Sequence, residues 1–448
     1  MSTTNKNIKI MSEEKISKAL LKLGLPVIIG MLVTAFNNVI DAMFVGGLGT
    51  SQIAAVSVTF PISQLIIGIG LIFGCGAAPY VSRFLGEKNI KKANEISSTA
   101  FFNSLLCGII LVILTLIFID KILILFGATS TILPYAKKYA IIFVSGSILN
   151  IINVTLNNIT TAEGASKISM SAMLISGVLN IILDPIFIYS LNLGIKGAAT
   201  ATVIAQSITT ILYIIYLLKG KNSLKISYQN FSFNKKIHFP ILKVGFVSFF
   251  FQLLVSISIG LLNSKASIYG DYAVASMGIV TRITTFVSYV VFGYSKGFQA
   301  IVGYNYGAKN WSRFKETINI SLKWTTIFCI IITILLITFS SPVISIFSKD
   351  YKVINLSIKA LKANIIMFIF FGFQCIYTTL FVAIGKIKEG GILGIARQGI
   401  FFIPTIFILP HIVGINGIVF TQAVADLLAT ILTAILAIKL NKSFNFSF

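Results

Sequence analysis

The chain has few charged residues and very few acidic ones. Only 11% of its 448 residues are charged and 13 are Asp or Glu, whereas soluble globular proteins carry about 25% charged residues. Its mean hydropathy is +0.93. The alternating ten-residue segments of an outer-membrane barrel are also missing. This composition excludes an ordinary soluble domain and predicts an all-α polytopic membrane protein.

Cysteine and histidine are scarce as well. The four Cys lie inside apolar runs without CxxC spacing, and His238 and His411 lie near run ends. No HExxH or GxSxG motif and no Cys–His pairing occurs, so we predict packed thiols, no His/Cys metal site and no enzyme. The polar start, Met1–Lys18, lacks a short apolar core with a cleavage site, so we expect no cleaved signal peptide.

Long apolar runs make up most of the chain. Each is long enough to cross a hydrocarbon core about 30 Å thick. The sequence predicts twelve spans, at Leu20–Val45, Gln52–Ser82, Ser97–Ile119, Leu133–Thr161, Ile168–Tyr189, Gly197–Leu218, Ile241–Asn263, Tyr272–Tyr304, Ile318–Ser340, Ser357–Ile384, Gly391–His411 and Gly417–Ile438.

The basic residues are distributed unequally between alternate connections. With the N-terminus inside, the inner segments carry 25 Lys and Arg and the outer segments nine. Because cytoplasmic loops of membrane proteins are enriched in Lys and Arg, both termini are predicted to be cytoplasmic. The net charge of +23 is therefore assigned to loops at the membrane, and no nucleic-acid partner is expected. Only four of the 36 basic residues are Arg, which together with heavy Ile and Asn use indicates an AT-rich bacterial genome and a bacterial cytoplasmic membrane.

The two halves of the chain repeat each other. GEKNIKKANE from Gly86 aligns with GAKNWSRFKE from Gly307, and LLKLGLP from Leu20 aligns with ILKVGFV from Ile241, both at a shift of 221. Six spans per half is an even number, so both halves enter the membrane in the same direction. This predicts two six-helix bundles related by a pseudo-twofold axis along the membrane normal. We place the N-terminal lobe at 1–218, a cytoplasmic linker at 219–243 and the C-terminal lobe at 244–448.

Three acids lie well inside predicted spans, and two of them share a depth. Asp41 and Asp184 both fall in the outer half of outward-running spans, at about 1.5 Å of rise per residue. Thr202 matches that depth on span 6, while Asn37 and Asn180 each precede an acid by four residues on the same helical face. Hard cations prefer such oxygen ligands. The alternative is structural: Asp184 satisfies backbone groups freed by Pro185, and Asp41 bonds the turn that follows it.

The second half lacks this acid pair and offers different charges. Asp426 and Arg282 each lie about ten residues into an inward-running span, so we predict a structural ion pair between them, with a substrate or coupling role as the alternative. Lys296 has no acid at its depth in that half. We expect it either to reach toward the cytoplasmic face or to line the cavity, where it would repel cations.

Several stretches resemble the multidrug and toxic compound extrusion (MATE) family over nearly the whole chain. They are NNVIDAMFVGGLG from Asn37, LNIILDPIFI from Leu179, LGIKGAATAT from Leu193 and GYNYGAKN from Gly303. The resemblance implies export of organic cations in exchange for inward Na⁺ or H⁺, with no other cofactor. It also implies that the positions matching Asp41, Asn180, Asp184 and Thr202 bind the coupling cation, with Asp41 and Asp184 as Na⁺ ligands. We expect a monomer with small cationic substrates and the bilayer as its partners.

Organic cations are usually held by aromatic faces, Met and amides in a largely apolar cavity. The candidates are Thr34, Asn37, Tyr139, Asn157, Met173 and Asn180 in the first half, and Tyr294 and Gln299 in the second. Plain packing is the alternative for each. The competing function is a flippase for lipid-linked oligosaccharide precursors, a class that often has 14 spans and more basic residues in its cavity than Arg282 and Lys296.

Overall fold

The computed structural model describes residues 3–48, 50–219 and 223–443, and these form helices joined by short connections. The α-helices are α1 (Thr3–Ser12), α2 (Ile16–Gly46), α3 (Thr50–Gly86), α4 (Ile90–Ile117), α5 (Ile119–Leu125), α6 (Leu133–Ala162), α7 (Ser166–Pro185), α8 (Ile195–Leu218), α9 (Lys235–Ser267), α10 (Asp271–Gly307), α11 (Trp311–Thr338), α12 (Ser340–Ser345), α13 (Tyr351–Phe368), α14 (Phe371–Ala383), α15 (Ile387–Ile395), α16 (Phe402–Val413) and α17 (Ile415–Ser443). Two π-helical turns, Ile186–Ser190 and Ala396–Phe401, follow α7 and α15.

The number of membrane-spanning helices agrees with the sequence. Among the described residues, eleven helical segments are long and apolar enough to cross a bilayer. A twelfth span forms if α13 and α14, which are bent by 48° relative to each other, are counted together. That bent pair covers the predicted span Ser357–Ile384, so the prediction of twelve spans in two bundles is confirmed. The domain boundaries stay a prediction, and α9 begins at Lys235, inside the segment assigned to the linker.

The repeat is visible in the local structure of the two GxKN turns. Asn89 caps α4 by accepting from the Lys92 N–H at 3.1 Å, and Asn310 caps α11 by accepting from the Arg313 N–H at 3.2 Å. The preceding residues, Lys88 and Lys309, both have positive φ, at 58° and 55°. An Asx cap following a left-handed residue therefore starts the third span in each half.

The two halves meet most closely near one membrane face, which we call the terminal face because α1 and the start of α2 lie there. At this face the contacts are reciprocal across the repeat. A Cβ added to Gly86 would lie 2.0 Å from the Tyr304 carbonyl oxygen, and one added to Gly307 would lie 2.1 Å from the Arg83 carbonyl oxygen. Since both pairs are related by the shift of 221, the pseudo-twofold axis passes between them. Only glycine permits this backbone approach.

The Arg83 side chain of the N-terminal half also contacts the C-terminal half at the terminal face. The Arg83 guanidinium donates to the Ala383 carbonyl at 3.0 Å and lies 5.6 Å from the centre of the Tyr306 ring. Further along the membrane normal, Gly245 of α9 packs directly on the Ile72 backbone of α3. These approaches lie in the halves of α3, α9 and α10 nearest the terminal face and at the end of α14. The terminal face is therefore closed in this structure.

Candidate functional site

The site predicted at Asp41 and Asp184 forms where α2 meets α7, near the face opposite the terminal face. Asp41 lies five residues before the end of α2, and Asp184 lies at the end of α7, before the π-helical turn. Asp184 is fully buried and Asp41 is half-buried. The two carboxyl groups lie close enough to interact directly. Two carboxylates this close repel, so the arrangement is stable only with a shared proton or a cation between them.

Two asparagines extend the site by a chain of hydrogen bonds. Asn37 Nδ2 donates to Asn180 Oδ1 at 2.9 Å, and Asn180 Nδ2 donates to Asp184 Oδ1 at 2.8 Å. The second oxygen of Asp184 and the Asn37 Oδ1 atom are buried and receive no hydrogen bond from any donor among the described residues. Buried polar atoms without a partner are rare in native proteins. These two oxygens and the nearby Asp41 carboxylate are ligands of the type that hard cations bind.

Two further candidates lie around this cluster in different ways. Tyr139, from α6, is buried beside both carboxyl groups and stacks on Phe143 with the ring centres 5.6 Å apart. Thr202, from α8, donates its hydroxyl to the Ala198 carbonyl of its own helix at 3.0 Å. It makes no hydrogen bond to either carboxylate, but its oxygen keeps lone pairs with which it could contact a cation. A role for Thr202 in binding the cation stays a prediction.

The oxygen set matches a monovalent hard cation or a proton. Carboxylate and amide oxygens are ligands that hard cations prefer, and one acid of a close pair readily holds a proton. No cluster of three or more His, Cys, Asp or Glu side chains occurs in the described part of the chain. The ligand types therefore suit a hard cation or a proton better than a transition metal, and the identity of the cation stays a prediction.

The predicted ion pair between Arg282 and Asp426 is wrong. Asp426 instead pairs with Arg397, whose Nε and Nη2 atoms lie 2.6 Å and 3.1 Å from its two carboxylate oxygens. Gln422 donates to the same carboxylate at 2.7 Å, and the Arg397 guanidinium lies 4.6 Å from the centre of the Phe371 ring. Arg282 is exposed. Equal depth along two helices does not fix the direction in which their side chains point, and this caused the error.

This pair differs chemically from the Asp41–Asp184 pair. Asp426 is 4% exposed and Arg397 is 18% exposed at the side chain. Both carboxylate oxygens of Asp426 accept hydrogen bonds, so the negative charge is neutralised by a cation that belongs to the chain. The C-terminal half therefore offers no carboxylate at this position for an exchangeable cation.

Lys296 extends toward the terminal face, and its two predicted alternatives, reach to the cytoplasmic face or lining of the cavity, both stay predictions. Its Nζ atom donates to Asn158 Oδ1 at 2.9 Å, four residues before the end of α6. Asn158 belongs to the N-terminal half and Lys296 to the C-terminal half. The ammonium group therefore joins the two halves where they are closed.

The remaining predicted substrate contacts fall into two groups. Thr34 and Met173 lie where α2 packs on α7, with the Met173 sulfur facing Gly30 and the Thr34 hydroxyl bonded to the Gly30 carbonyl. Asn157 and Tyr294 instead make hydrogen bonds inside their own halves, to Tyr213 at 3.1 Å and to Ser321 at 3.1 Å. Gln299 is half-buried on α10. The structure thus brings Asn37, Tyr139 and Asn180 to the acid pair, places Thr34 and Met173 further along the same α2–α7 contact, and leaves Asn157 and Tyr294 outside it.

Glu163 is the third fully buried acid of the chain's described part, and no sequence pattern assigns it a role. Glu163 follows the last residue of α6 and is 1% exposed. Its carboxyl group accepts from the Tyr216 hydroxyl and from the backbone N–H groups of Ser223 and Leu224. Burial raises its pKa to about 7, and these hydrogen bonds oppose the shift. In the sequence Glu163 is an acid just beyond the end of a predicted span, in the stretch Thr161–Gly164, and nothing in that stretch indicates that it is buried.

We expect Glu163 to make stability fall as pH rises. Its native pKa of about 7 exceeds the ordinary value of 4.5, so the folded chain holds this proton over a range where the unfolded chain has lost it. The loss should reach about 3 kcal/mol between pH 4.5 and 7, at 1.36 kcal/mol per pKa unit. Thermal unfolding of Glu163→Gln in detergent should lack this component. An unchanged pH dependence in the variant would contradict the assignment.

A known protein family matches each half of the chain separately. The MatE family model matches residues 26–186 and again 246–408. The multidrug export protein MepA of Staphylococcus haemolyticus is 31% identical over 430 residues, covering 96% of this chain and 94% of that protein. A multidrug resistance MATE family transporter of the MOP superfamily, solved in an outward-facing conformation, superposes with a TM-score of 0.93 at 26% identity, covering 98% of this chain and 99% of that one.

A second solved structure has the same fold with another pocket. It is a MOP superfamily transporter from Pyrococcus furiosus, described as having a binding pocket of reverse polarity that suggests a different function. Its TM-score is 0.91 at 26% identity, covering 99% of each chain. The predictions of a family resemblance and of a transporter rather than an enzyme are confirmed by these relatives. The chain belongs to the MatE family of multidrug and toxic compound extrusion transporters.

Proposed function

We propose that this chain is a multidrug exporter that exchanges organic cations for Na⁺ or H⁺ by alternating access. The names of the similar proteins support export of multiple drugs. The single observation that carries the cation coupling is the close pair of Asp41 and Asp184, which hydrogen bonds extend through Asn180 to Asn37. The 25-to-nine distribution of basic residues supports a bacterial cytoplasmic membrane with both termini in the cytoplasm.

In this mechanism both the coupling cation and the drug act on the contact between α2 and α7 that carries the acid pair. A cation arriving from outside neutralises the repulsion between Asp41 and Asp184 and draws α2 and α7 together. Thr34 and Met173 lie at the same α2–α7 contact, so that movement changes the drug-binding surface. The cation shifts the conformational equilibrium only by the difference in its affinity for the two states. Release of the drug outside and return of the closed terminal face to an open state complete the cycle.

Cationic drugs suit the charge of this region. The candidate site contains two acidic side chains, Asp41 and Asp184, whereas Lys296 points toward the terminal face and is bonded to Asn158. Tyr139 adds an aromatic face beside the acids, and such faces attract organic cations. Because a neighbour of the same fold is described with reversed polarity, substrate charge has to be argued from these residues and not from the fold.

The test is efflux from proteoliposomes with an imposed Na⁺ or pH gradient. A fluorescent quaternary ammonium dye is loaded on one side and its movement is followed in each gradient. We expect dye movement against its own gradient with one of the two cations, which would identify the coupling ion. Movement of a lipid-linked oligosaccharide without any gradient-driven dye efflux would instead support the flippase function.

A further inference from the structure

We propose that the segment 223–239, between the two halves, is a binding surface for anionic phospholipid headgroups. We call it the linker patch and define it by its exposed rings and lysines, namely Tyr228, Phe233, Phe239, Lys225, Lys235 and Lys236. The proposal does not depend on the nature of the coupling ion or of the drug. It rests on how this segment is held, where it lies and which side chains it exposes.

The segment is fixed to α4 by a stripe of polar side chains. The Lys225 N–H donates to Asn94 Oδ1 at 2.8 Å, and the Ser227 N–H donates to the Ser98 hydroxyl at 3.1 Å. One step further, the Ser232 N–H donates to the Thr99 hydroxyl at 3.2 Å. These bonds give partners to backbone N–H groups of an irregular segment, which needs such partners wherever water is excluded. The linker patch is thus held in a defined position against the N-terminal half.

A histidine places the linker patch at the level where the apolar part of α9 begins. His238, in the first turn of α9, is bonded to Asn103 of α4 at 3.0 Å and to the Ser232 carbonyl at 2.6 Å. The apolar run of α9 starts directly afterwards, at Ile241. Aromatic side chains at the ends of apolar spans mark the membrane–water interface. The rings of the linker patch therefore lie at the headgroup level of the leaflet that borders the terminal face.

The rings are organised and still exposed. Phe231 lies at their centre, with its ring 4.8 Å from Phe233, 6.1 Å from Phe102 and 6.4 Å from Tyr228 between ring centres. Yet Phe233 is 82% exposed, Tyr228 is 73% exposed and Phe239 is 67% exposed. Soluble surfaces seldom present three such rings together. An occupant with both apolar and polar character would cover them.

The charge around the rings selects an anionic occupant. Lys225, Lys235 and Lys236 are exposed beside the rings, and Lys91 and Lys92 are exposed at the start of α4. The neighbouring acids are few: Glu95 is partly buried on α4, and Glu163 is buried behind the start of the segment. Clustered lysines next to a membrane span attract anionic lipids, with an effect of roughly fivefold per lysine. Aromatic rings that enter the headgroup layer and lysines that bind its phosphates are together the features expected of a surface that binds phospholipids.

The test is hydrogen–deuterium exchange of the full chain in nanodiscs of phosphatidylcholine, with and without phosphatidylglycerol. We expect backbone amides of 225–236 to exchange about tenfold more slowly when phosphatidylglycerol is present. The double variant Lys235→Gln/Lys236→Gln should lose most of that difference while exchanging like wild type in phosphatidylcholine. The double variant Phe233→Ser/Phe239→Ser should exchange faster in both lipids.

The matched control changes the same charge at the opposite face. Lys349 and Lys352 are exposed there, and Lys349→Gln/Lys352→Gln should leave the lipid effect on 225–236 unchanged. Equal exchange of 225–236 in both lipids would overturn the proposal. An equal loss of the lipid effect in the control variant would overturn it as well, because it would show a response to net charge and not to this surface. Addition of inorganic phosphate should not reproduce the slowing.

Discussion

Asn in place of either Asp41 or Asp184 should reduce gradient-driven drug efflux by between about fivefold and 150-fold, the usual range of coupling between two ligands. Each substitution keeps the size of the side chain and removes one carboxylate of the pair. The remaining acid would then bind the cation with fewer charged oxygens and would lose the repulsion that cation binding relieves. Efflux of a quaternary ammonium dye from proteoliposomes, driven by the gradient that works for wild type, measures the effect.

The matched control is Asp120→Asn, which removes an acid of the same type outside the site. Asp120 forms an exposed ion pair with Lys137 at 2.7 Å, with half of its side chain accessible. Exposed pairs contribute about 0–1 kcal/mol, so this variant should transport like wild type. If both Asp41→Asn and Asp184→Asn transported like Asp120→Asn under the same gradient, the coupling site would have to lie elsewhere.

Arg397→Leu should destabilise the folded protein by about 3–5 kcal/mol, because removal of one partner leaves a buried charge uncompensated. Asp426 would keep its Gln422 hydrogen bond at 2.7 Å but lose the guanidinium that neutralises it. Thermal unfolding in detergent measures the loss. The double variant Arg397→Leu/Asp426→Leu should recover most of the stability, since an apolar pair of similar volume replaces a buried ion pair at little cost.

Arg282→Leu serves as the control for this second prediction. Arg282 is exposed and its pairing with Asp426 is excluded by the structure, so its loss should change stability by less than about 0.5 kcal/mol. A larger effect for Arg282→Leu than for Arg397→Leu would contradict the assignment of the pair. So would a double variant that is no more stable than Arg397→Leu alone.

Much of the architecture could be predicted because it depends on length, periodicity and repetition. Apolar runs of about 20 residues have one stable solution in a bilayer, and the 221-residue shift fixed the relation between the halves. The reciprocal contact of Gly86 and Gly307 confirms that relation at atomic detail. The region of the acid pair followed from the helical rise, since Asp41 and Asp184 lie at one depth on neighbouring helices that run the same way.

The side-chain contacts that the sequence did not predict depend on the rotation of helices about their axes and on irregular backbone. Arg397 lies in the π-helical turn Ala396–Phe401, where the side-chain direction departs from the α-helical period, and nothing in the sequence marks that turn. Asn157 is a good ligand type, but it points to Tyr213 within its own half. The surroundings of Glu163 could not be predicted, because its carboxyl group accepts from the backbone of Ser223 and Leu224, about 60 residues further along the chain. These are tertiary facts that no local pattern encodes.

The most direct test of the central claim is whether drug binding expels a cation from the acid pair. Purified protein in detergent, equilibrated with Na⁺ at weakly buffered neutral pH, is titrated with a quaternary ammonium drug while an ion-selective electrode and a pH indicator record release. We expect release of Na⁺ or H⁺ by wild type and by Asp120→Asn, and little or none by Asp41→Asn or Asp184→Asn. Drug binding that releases no cation from wild type, or equal release from all four proteins, would contradict it.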